Sequence, residues 1–253
     1  MPLLDGQVRR MFEEVAFSYD LQNSVLSLRR DSAWRRALAD RLPPGRPLRV
    51  LDVAAGTAEV ALEICRRRPL AQVLGLDYSP SMLAVGRGKL LSQGLAGRLS
   101  LCLGDARRLP VRDTCMDAVS IAFGIRNVDD RATALAEFRR VLRPGGRALV
   151  LEFSLPEASV PRRLYRLYFE HVLPPLGNFL SRSDYAYDYL VESVLAFPKP
   201  EAFAQELTRA GFGPVSRTPL SLGIVQLYEA NVPNRPAQGA AVRSSSSEGV
   251  SCW

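Results

Sequence analysis

The stretch Val50-Leu51-Asp52-Val53-Ala54-Ala55-Gly56-Thr57-Ala58-Glu59 constrains the fold of this chain more than any other. A short apolar run containing an acid gives way to small residues and then to a helical pattern through Ala61, Leu62 and Ile64. That order predicts a buried strand, a tight turn and the start of a helix. Small residues belong where backbone approaches a ligand closely. A second apolar run, 71–76, ends in Asp77. Strand, small-residue turn, helix, strand and acid together outline a nucleoside-binding βαβ unit. A carboxylate at the end of its second strand can accept hydrogen bonds from both hydroxyls of a ribose.

Two cofactor classes use such a unit, and they ask different things of the turn. A dinucleotide carries a pyrophosphate, so its turn wants G-x-G-x-x-G/A with the helix N-terminus facing phosphate. Read from position 54 the frame holds Ala54, Gly56 and Glu59, and from position 56 it holds Gly56, Ala58 and Ala61. Neither matches, and Glu59 brings a carboxylate to the place a phosphate would take. S-adenosylmethionine has no phosphate and tolerates an acid there, so the turn favours that cofactor. An ordinary α/β turn is the alternative reading of this stretch alone.

At 253 residues the chain can bury one substantial core. A hydrophobic content of 47% with 23% charged residues is that of a globular protein. No apolar run approaches the ~20 residues needed to span a bilayer, and no secretory signal is visible at the N-terminus, so the cytoplasm is the expected compartment. Cys65, Cys102, Cys115 and Cys252 lack C-x-x-C spacing, which points to neither a zinc site nor a disulfide framework. The net charge of +7 comes almost wholly from arginine, Lys89 and Lys199 being the only lysines. Pairs such as Arg29-Arg30, Arg35-Arg36 and Arg162-Arg163 read as solvated helix faces, with attraction to anionic lipid as the functional alternative. Nothing in the sequence has the aromatic interleaving of a nucleic-acid binder, and no such partner is expected.

The spacing predicts a helical prefix over 8–42, ahead of the first strand and placed to cover the cleft. Phe12 and Phe17 read as core residues; Tyr19, followed by Asp20, reads as core or as part of a site. An α/β body over 48–153 follows, with strands at 48–53, 71–77, 99–102, 116–121 and 147–153 and helices at 57–67, 80–92 and 131–142. Ser79-Pro80 and Asp129-Asp130 supply helix starts, and Arg143-Pro144-Gly145-Gly146 makes a sharp turn into the last of these strands. Asp105 and the segment Ala122–Val128 follow the third and fourth strands, at carboxyl ends where ligands bind in open parallel sheets. An aromatic-rich helical cover is expected over 160–198. The closing unit 200–231 holds a helix at 200–210 and strands near 214–220 and 223–230. Residues 1–231 are thus expected to form one domain, and 232–253, rich in Pro, Ala, Gly and Ser, a disordered tail.

Four segments carry a family resemblance: Phe12-Glu13-Glu14-Val15-Ala16 through Tyr19-Asp20, Asp105-Ala106-Arg107-Arg108-Leu109-Pro110, Ala122-Phe123-Gly124-Ile125-Arg126-Asn127-Val128, and Arg143-Pro144-Gly145-Gly146-Arg147 through Glu152-Phe153. The D-A-x-x-L-P and R-P-G-G motifs occur across many methyltransferases. The A-F-G-I-R-N-V segment, with Tyr189-Leu190-Val191-Glu192-Ser193 and Phe197-Pro198 downstream, is much more specific. On these segments the chain resembles the ubiquinone/menaquinone biosynthesis C-methyltransferases over roughly residues 8 to 230. The resemblance implies a class I S-adenosylmethionine-dependent methyltransferase fold: Rossmann-like, with a mostly parallel seven-stranded sheet and helices on both faces, carrying the prefix and the insertion. It implies cofactor contacts at Gly56, Thr57, Asp77, Asp105 and Ala106, a lipophilic prenylated quinol as substrate, peripheral contact with the inner face of the membrane, and compatibility with a homodimer. The family usually shows D-V-A-G-G-T-G-D where this chain has Ala55, Ala58 and Glu59, so a methyl group at Ala58 is expected to stand against the cofactor.

Methyl transfer to carbon needs an electron-rich ring carbon in line with the sulfonium methyl, and a quinol becomes that nucleophile when a ring hydroxyl loses its proton. No metal is needed and no metal cluster is expected. The chemistry therefore calls for positioning and for stabilisation of a developing phenolate. Arg126 is suited as a fixed cation, Asn127 as a donor to the ring oxygen, and Tyr19 as a residue that orients the ring or relays the proton. The bland alternatives are Arg126 as a surface partner of Asp129 or Asp130, Tyr19 as core, and Glu152 as the anchor of a neighbouring loop. His171, the one histidine, is a poor candidate for a base. Two other functions fit the sequence: methylation of a different small apolar acceptor, and a non-catalytic cofactor-binding partner in a quinone-biosynthesis assembly.

Overall fold

The computed structural model describes residues 10, 13–14, 16, 19–156 and 186–234. Two helices, α1 (Tyr19–Leu26) and α2 (Asp31–Asp40), precede the sheet. They are followed by β1 (Leu48–Val53), α3 (Glu59–Arg67), β2 (Ala71–Asp77), α4 (Pro80–Ser92), β3 (Leu99–Leu103) and β4 (Met116–Ala122). Then come α5 (Arg131–Val141), β5 (Leu142–Phe153), α6 (Ala186–Ala196), α7 (Pro200–Arg209), β6 (Val215–Leu220) and β7 (Val225–Asn231). The seven strands form one sheet in the order β3-β2-β1-β4-β5-β7-β6. β1 to β5 pair in parallel, while β7 runs antiparallel to both β5 and β6.

The near-continuous apolar runs of β1, β2 and β4 have a simple cause: both faces of a parallel sheet are covered, so successive side chains are buried on opposite sides. Val50, Val73, Ala118 and Leu149 join Trp34, Leu38, Leu62 and Ile64 in one core, on the side of α2 and α3. Their neighbours Leu51, Leu74, Val119 and Val150 join Leu135, Phe138, Phe203 and Leu207 in the other, on the side of α5 and α7. The helix starts expected from the sequence form as caps: Ser79 Oγ accepts the Met82 N–H at 3.3 Å, and Asp130 Oδ1 accepts the Thr133 N–H at 3.0 Å.

Two expectations are revised. The prefix is broken rather than continuous: Leu28 and Arg29 both adopt left-handed backbone, with φ of 50° and 62°, and turn the chain between α1 and α2. Ser27 helps to seat the new helix, its Oγ lying 3.0 Å from Asp31 Oδ1 and accepting the Asp31 N–H. At the other end, the turn at Arg143-Pro144-Gly145-Gly146 lies inside β5. Met116 pairs with Leu142 and Ala118 with Arg147, so residues 143–146 bulge out between two sections of one ladder. Gly145 there has φ +73°. The readings of Phe12, Phe17 and His171, most of the insertion at 160–198, and the tail beyond 234 lie outside the described residues.

Candidate active site

Strand order reverses at β1, whose neighbours β2 and β4 carry their connections in different directions, and a cleft opens beyond the carboxyl ends at that point, as in open α/β sheets generally. It has a volume of about 910 Å³, counting space open to solvent. Tyr19 from α1, Gly56 from the β1–α3 turn, Asp77, the Gly104-Asp105-Ala106-Arg107 segment and Asn127 all line it.

Asp77 is the best-defined polar group. Its Oδ2 accepts the Gly56 N–H at 2.7 Å and its Oδ1 accepts the Ser79 N–H at 2.8 Å. Burial pushes its pKa up, and the N–H groups of Ser79 and Gly56 pull it back. The Tyr78 N–H also approaches the carboxylate, but its two oxygens offer about four acceptor sites, so it can still accept from a ribose. Around it, Leu76, Met82 and Ala106 supply apolar wall. Gly104 is needed for closeness: a Cβ there would lie 2.5 Å from Leu76 Cδ1. Asp105 faces the cleft but is gripped by Arg107, whose Nη2 and backbone N–H each approach to 2.8 Å. The Arg107 side chain holds its carboxyl below the usual range, so it stays ionised and able to accept another donor. A buried diol acceptor beside an apolar slot, with no phosphate-binding turn, fits S-adenosylmethionine.

Thr57 and Ala58 are placed differently from the sequence expectation. Thr57 is buried and does not line the cleft; its hydroxyl donates to Asp20 Oδ1 at 2.6 Å. Ala58 does adopt left-handed backbone, φ +67°, but it is fully buried. Its methyl faces α4, where a Cβ placed on Gly86 would come within 3.1 Å of it. Gly86 thus makes room for the methyl that the family pattern lacks, and Ala58 does not stand against the cofactor cleft.

Arg126 also departs from its expected place. It is absent from the cleft wall, and it pairs with neither Asp129 nor Asp130. Its Nη1 lies 2.8 Å from Glu152 Oε1, its Nε donates to Ser193 Oγ at 3.3 Å, and its guanidinium sits 5.5 Å from the Phe153 ring centre. Glu152, fully buried, also accepts the Arg126 and Phe153 backbone N–H groups. It anchors the short 3₁₀ turn Ile125–Asn127, as one reading of the sequence allowed. The next residue, Asn127, reaches the cleft, and the Tyr189 hydroxyl donates to its Oδ1 at 3.0 Å. Tyr19, half-buried, lines the same cleft. Burial raises its pKa against the opposing pulls of Asn23 and the Arg126 charge, so it keeps its proton at neutral pH.

Sequence reasoning missed the clasp beneath Tyr19. Lys89 Nζ contacts the Asp20 carboxylate and, at 2.6 Å, Glu59 Oε1, joining α1, α3 and α4. The signal was available: Lys89 is one of only two lysines in an arginine-dominated chain. No signal announced Phe123, left-handed at φ +56°, or the close approach of Gly124 to Ala54, where a Cβ would meet Ala54 Cβ at 2.5 Å. Among the described residues no group of histidine, cysteine and acidic side chains is placed to hold a metal.

The sheet order and the cleft at its switch point are those of the class I S-adenosylmethionine-dependent methyltransferase fold. Comparison with known proteins narrows this. Residues 1–231 match the description of the ubiE/COQ5 methyltransferase family, and the chain belongs to that family. It is 46% identical over 221 residues to a demethylmenaquinone methyltransferase of Deinococcus radiodurans, covering 87% of this chain and 90% of the relative. It is 44% identical to one of Thermus thermophilus, covering 88% and 100%, and 42% identical to the ubiquinone/menaquinone biosynthesis C-methyltransferase UbiE of Geobacter sulfurreducens, covering 88% and 87%. In fold it is similar to a S-adenosylmethionine-dependent methyltransferase of Thermotoga maritima, with TM-score 0.62, 18% identity, and coverage of 88% and 98%. It is also similar to the cyclase SpnF, with TM-score 0.68, 17% identity, and coverage of 93% and 98%. A cyclase on the same scaffold shows that the sheet alone does not choose the reaction.

Proposed function

We propose that the protein transfers a methyl group from S-adenosylmethionine to a ring carbon of a prenylated quinol, a demethylmenaquinol or the related benzoquinol. The observation that carries this reading is that one cleft is lined both by a buried ribose-type acceptor, Asp77, and by two neutral hydrogen-bonding groups, Tyr19 and Asn127. The family relatives named for quinone methylation support the choice of acceptor. The chemistry supplied by the bound cofactor is an electrophilic methyl group on a sulfonium.

In this reading Asp77 holds the ribose hydroxyls, Gly56 lets the β1–α3 turn run close beside them, and Asp105 and Ala106 bound the adenine. Asn127 donates to the ring oxygen that gains negative charge as the quinol hydroxyl releases its proton to solvent. The ring carbon then takes the methyl as the methyl–sulfur bond breaks, with S-adenosylhomocysteine as the leaving group. Loss of that carbon's hydrogen as a proton, with reprotonation of the oxygen, restores the aromatic quinol. Tyr19 keeps its proton, so it orients the ring as a donor and does not serve as the base. Arg126 acts at one remove: paired with Glu152, it fixes the turn that presents Asn127 and adds positive potential behind the ring. The prenyl tail of such a substrate partitions into lipid, and we extend the proposal to peripheral contact with the inner face of the membrane, favoured by the net charge of +7. Of the prefix and the insertion, α1, which carries Tyr19, and α6, which carries Tyr189, serve as covers of the cleft within one domain, 1–231.

The test is incubation of purified protein with methyl-labelled cofactor and a panel of chemically reduced prenylated naphthoquinols and benzoquinols. Label should appear on the ring carbon of at least one of them and not on oxygen. Transfer to none, with labelling of an unrelated small apolar acceptor, overturns the quinol assignment.

A further inference from the structure

Asn127 is useful at a developing phenolate only if its amide presents Nδ2–H and not Oδ1. A carboxamide is nearly symmetric in shape, so packing alone does not choose between the two orientations; a hydrogen-bond partner must. The structure supplies one. The Tyr189 hydroxyl, on α6, stands 3.0 Å from Asn127 Oδ1. A phenolic hydroxyl is a stronger donor than acceptor, so it favours the amide orientation seen here, in which the tyrosine donates and Oδ1 is committed to α6. Among the described residues the amide nitrogen has no hydrogen-bond partner, and the residue lines the cleft. A second contact steadies the same junction: Arg126 Nε donates to Ser193 Oγ, one helical turn beyond Tyr189 on the same face of α6. Ser193 Oγ in turn donates to Leu190 O at 3.0 Å, which fixes the hydroxyl so that its lone pairs face the arginine.

We propose that Tyr189 is a positioning residue for methyl transfer: by holding Asn127 Oδ1 it sets the amide so that Nδ2 faces the substrate oxygen. In this role Tyr189 acts through Asn127. Without its hydroxyl the amide is free to rotate, and the flipped form sets an oxygen lone pair against the phenolate, which opposes ionisation. This inference rests on the functional reading above, in which Asn127 meets a ring oxygen.

The experiment is a double-substitution cycle with Tyr189→Phe, Asn127→Ala and the pair, read in two ways. Single-turnover methylation of a reduced naphthoquinol should slow on the order of tenfold in Tyr189→Phe, about the loss of one directed hydrogen bond. Cofactor affinity should be unchanged. Tyr189→Phe should cost nothing further in the Asn127→Ala background. The second readout needs no turnover: a hydroxynaphthoquinone whose ring hydroxyl ionises with a colour change is titrated against pH while bound. Its apparent pKa should rise in Tyr189→Phe and in Asn127→Ala, by no more in the pair than in Asn127→Ala alone. Additive losses in the cycle, or an unmoved probe pKa in Tyr189→Phe where Asn127→Ala shifts it, overturn the positioning role while leaving Asn127 in place. An unmoved probe and intact turnover in Asn127→Ala itself overturn the role given to Asn127 and this inference with it.

Discussion

Arg126 and Glu152 form a buried ion pair at 2.8 Å, with side-chain exposures of 6% and 0%, at the foot of the turn that carries Asn127. A charge pair so placed is poor evidence for net stability, because desolvation offsets most of its attraction. Removing one member is a different matter, since the other is left buried without a partner.

Arg126→Ala is therefore expected to lower stability as well as turnover. Breaking a buried pair from one side typically costs about 3–5 kcal/mol, and the Ile125–Asn127 turn loses its anchor. Chemical denaturation should show this loss, and Glu152→Gln in the Arg126→Ala background should restore part of it by removing the orphaned charge. Stability within 1 kcal/mol or so of the parent in Arg126→Ala would contradict the pairing as an anchor.

The clasp at Lys89 makes a contrasting prediction. Its side chain and those of Asp20 and Glu59 are 22%, 37% and 29% exposed, so the pairs are solvent-screened. Lys89→Met should cost about 1 kcal/mol at most, a fall in Tm of roughly 2–4 °C. It should weaken the cofactor several-fold, because α1 and Tyr19 keep only the Thr57–Asp20 bond as a tie to the β1–α3 turn, and Lys89→Arg should recover most of that. Thermal melts and isothermal titration of both variants separate the outcomes. A large drop in Tm with unchanged affinity would show a structural strut in place of a clasp.

Ala58 and Gly86 should behave as a size-matched pair. Ala58→Gly relieves left-handed strain of about 1 kcal/mol but removes a buried methyl worth about 0.8 kcal/mol. Stability should hardly move, and cofactor affinity should not move at all, since the methyl faces α4. Gly86→Ala pushes a Cβ to 3.1 Å from both Ala58 Cβ and Leu101 Cδ1, at a cost of about 1–3 kcal/mol. Adding Ala58→Gly to it should recover part of the loss. Additivity across that cycle would refute the contact, and a tightened cofactor in Ala58→Gly would restore the turn as its site of action.

Asp52 should make stability depend on pH. It is buried below the cleft; its Oδ1 accepts the Ser120 hydroxyl at 2.6 Å, and its Oδ2 has no partner among the described residues. Burial raises its pKa from an ordinary 3.8 to about 7. Below 3.8 folded and unfolded chains both hold the proton, so there is no penalty. Between 3.8 and about 7 the unfolded chain has released the proton and the folded one has not, so stability falls as pH rises, and above that range the penalty is constant. Denaturation midpoints compared between parent and Asp52→Asn should diverge progressively across that window. Parallel curves would show that the carboxyl is not held neutral in the fold.

What the sequence determined by itself is whatever depends on neighbours along the chain. The short apolar runs of β1 and β2, the small residues of 54–58, Asp77 closing β2, and the Ser79-Pro80 and Asp130 helix starts are all local, and apolar runs bounded by turn signals, with capping chemistry, are enough to place them. Together with the family segments they also led to the cofactor class and to the cleft residues Gly56, Asp77, Asp105, Ala106, Tyr19 and Asn127. The tertiary structure decided the rest, because it depends on which side chains meet across long stretches of chain. Thr57 turned out to face Asp20, 37 positions away, and the guanidinium of Arg126 turned to Glu152, 26 positions on. Ala58 found room only because Gly86 lies opposite it, and Asn127 received its orientation from Tyr189, 62 positions downstream. A residue's type and its place at a strand end tell what it can bond. Which bond forms is settled by packing, where each buried donor or charge must find its partner among whatever the fold brings alongside.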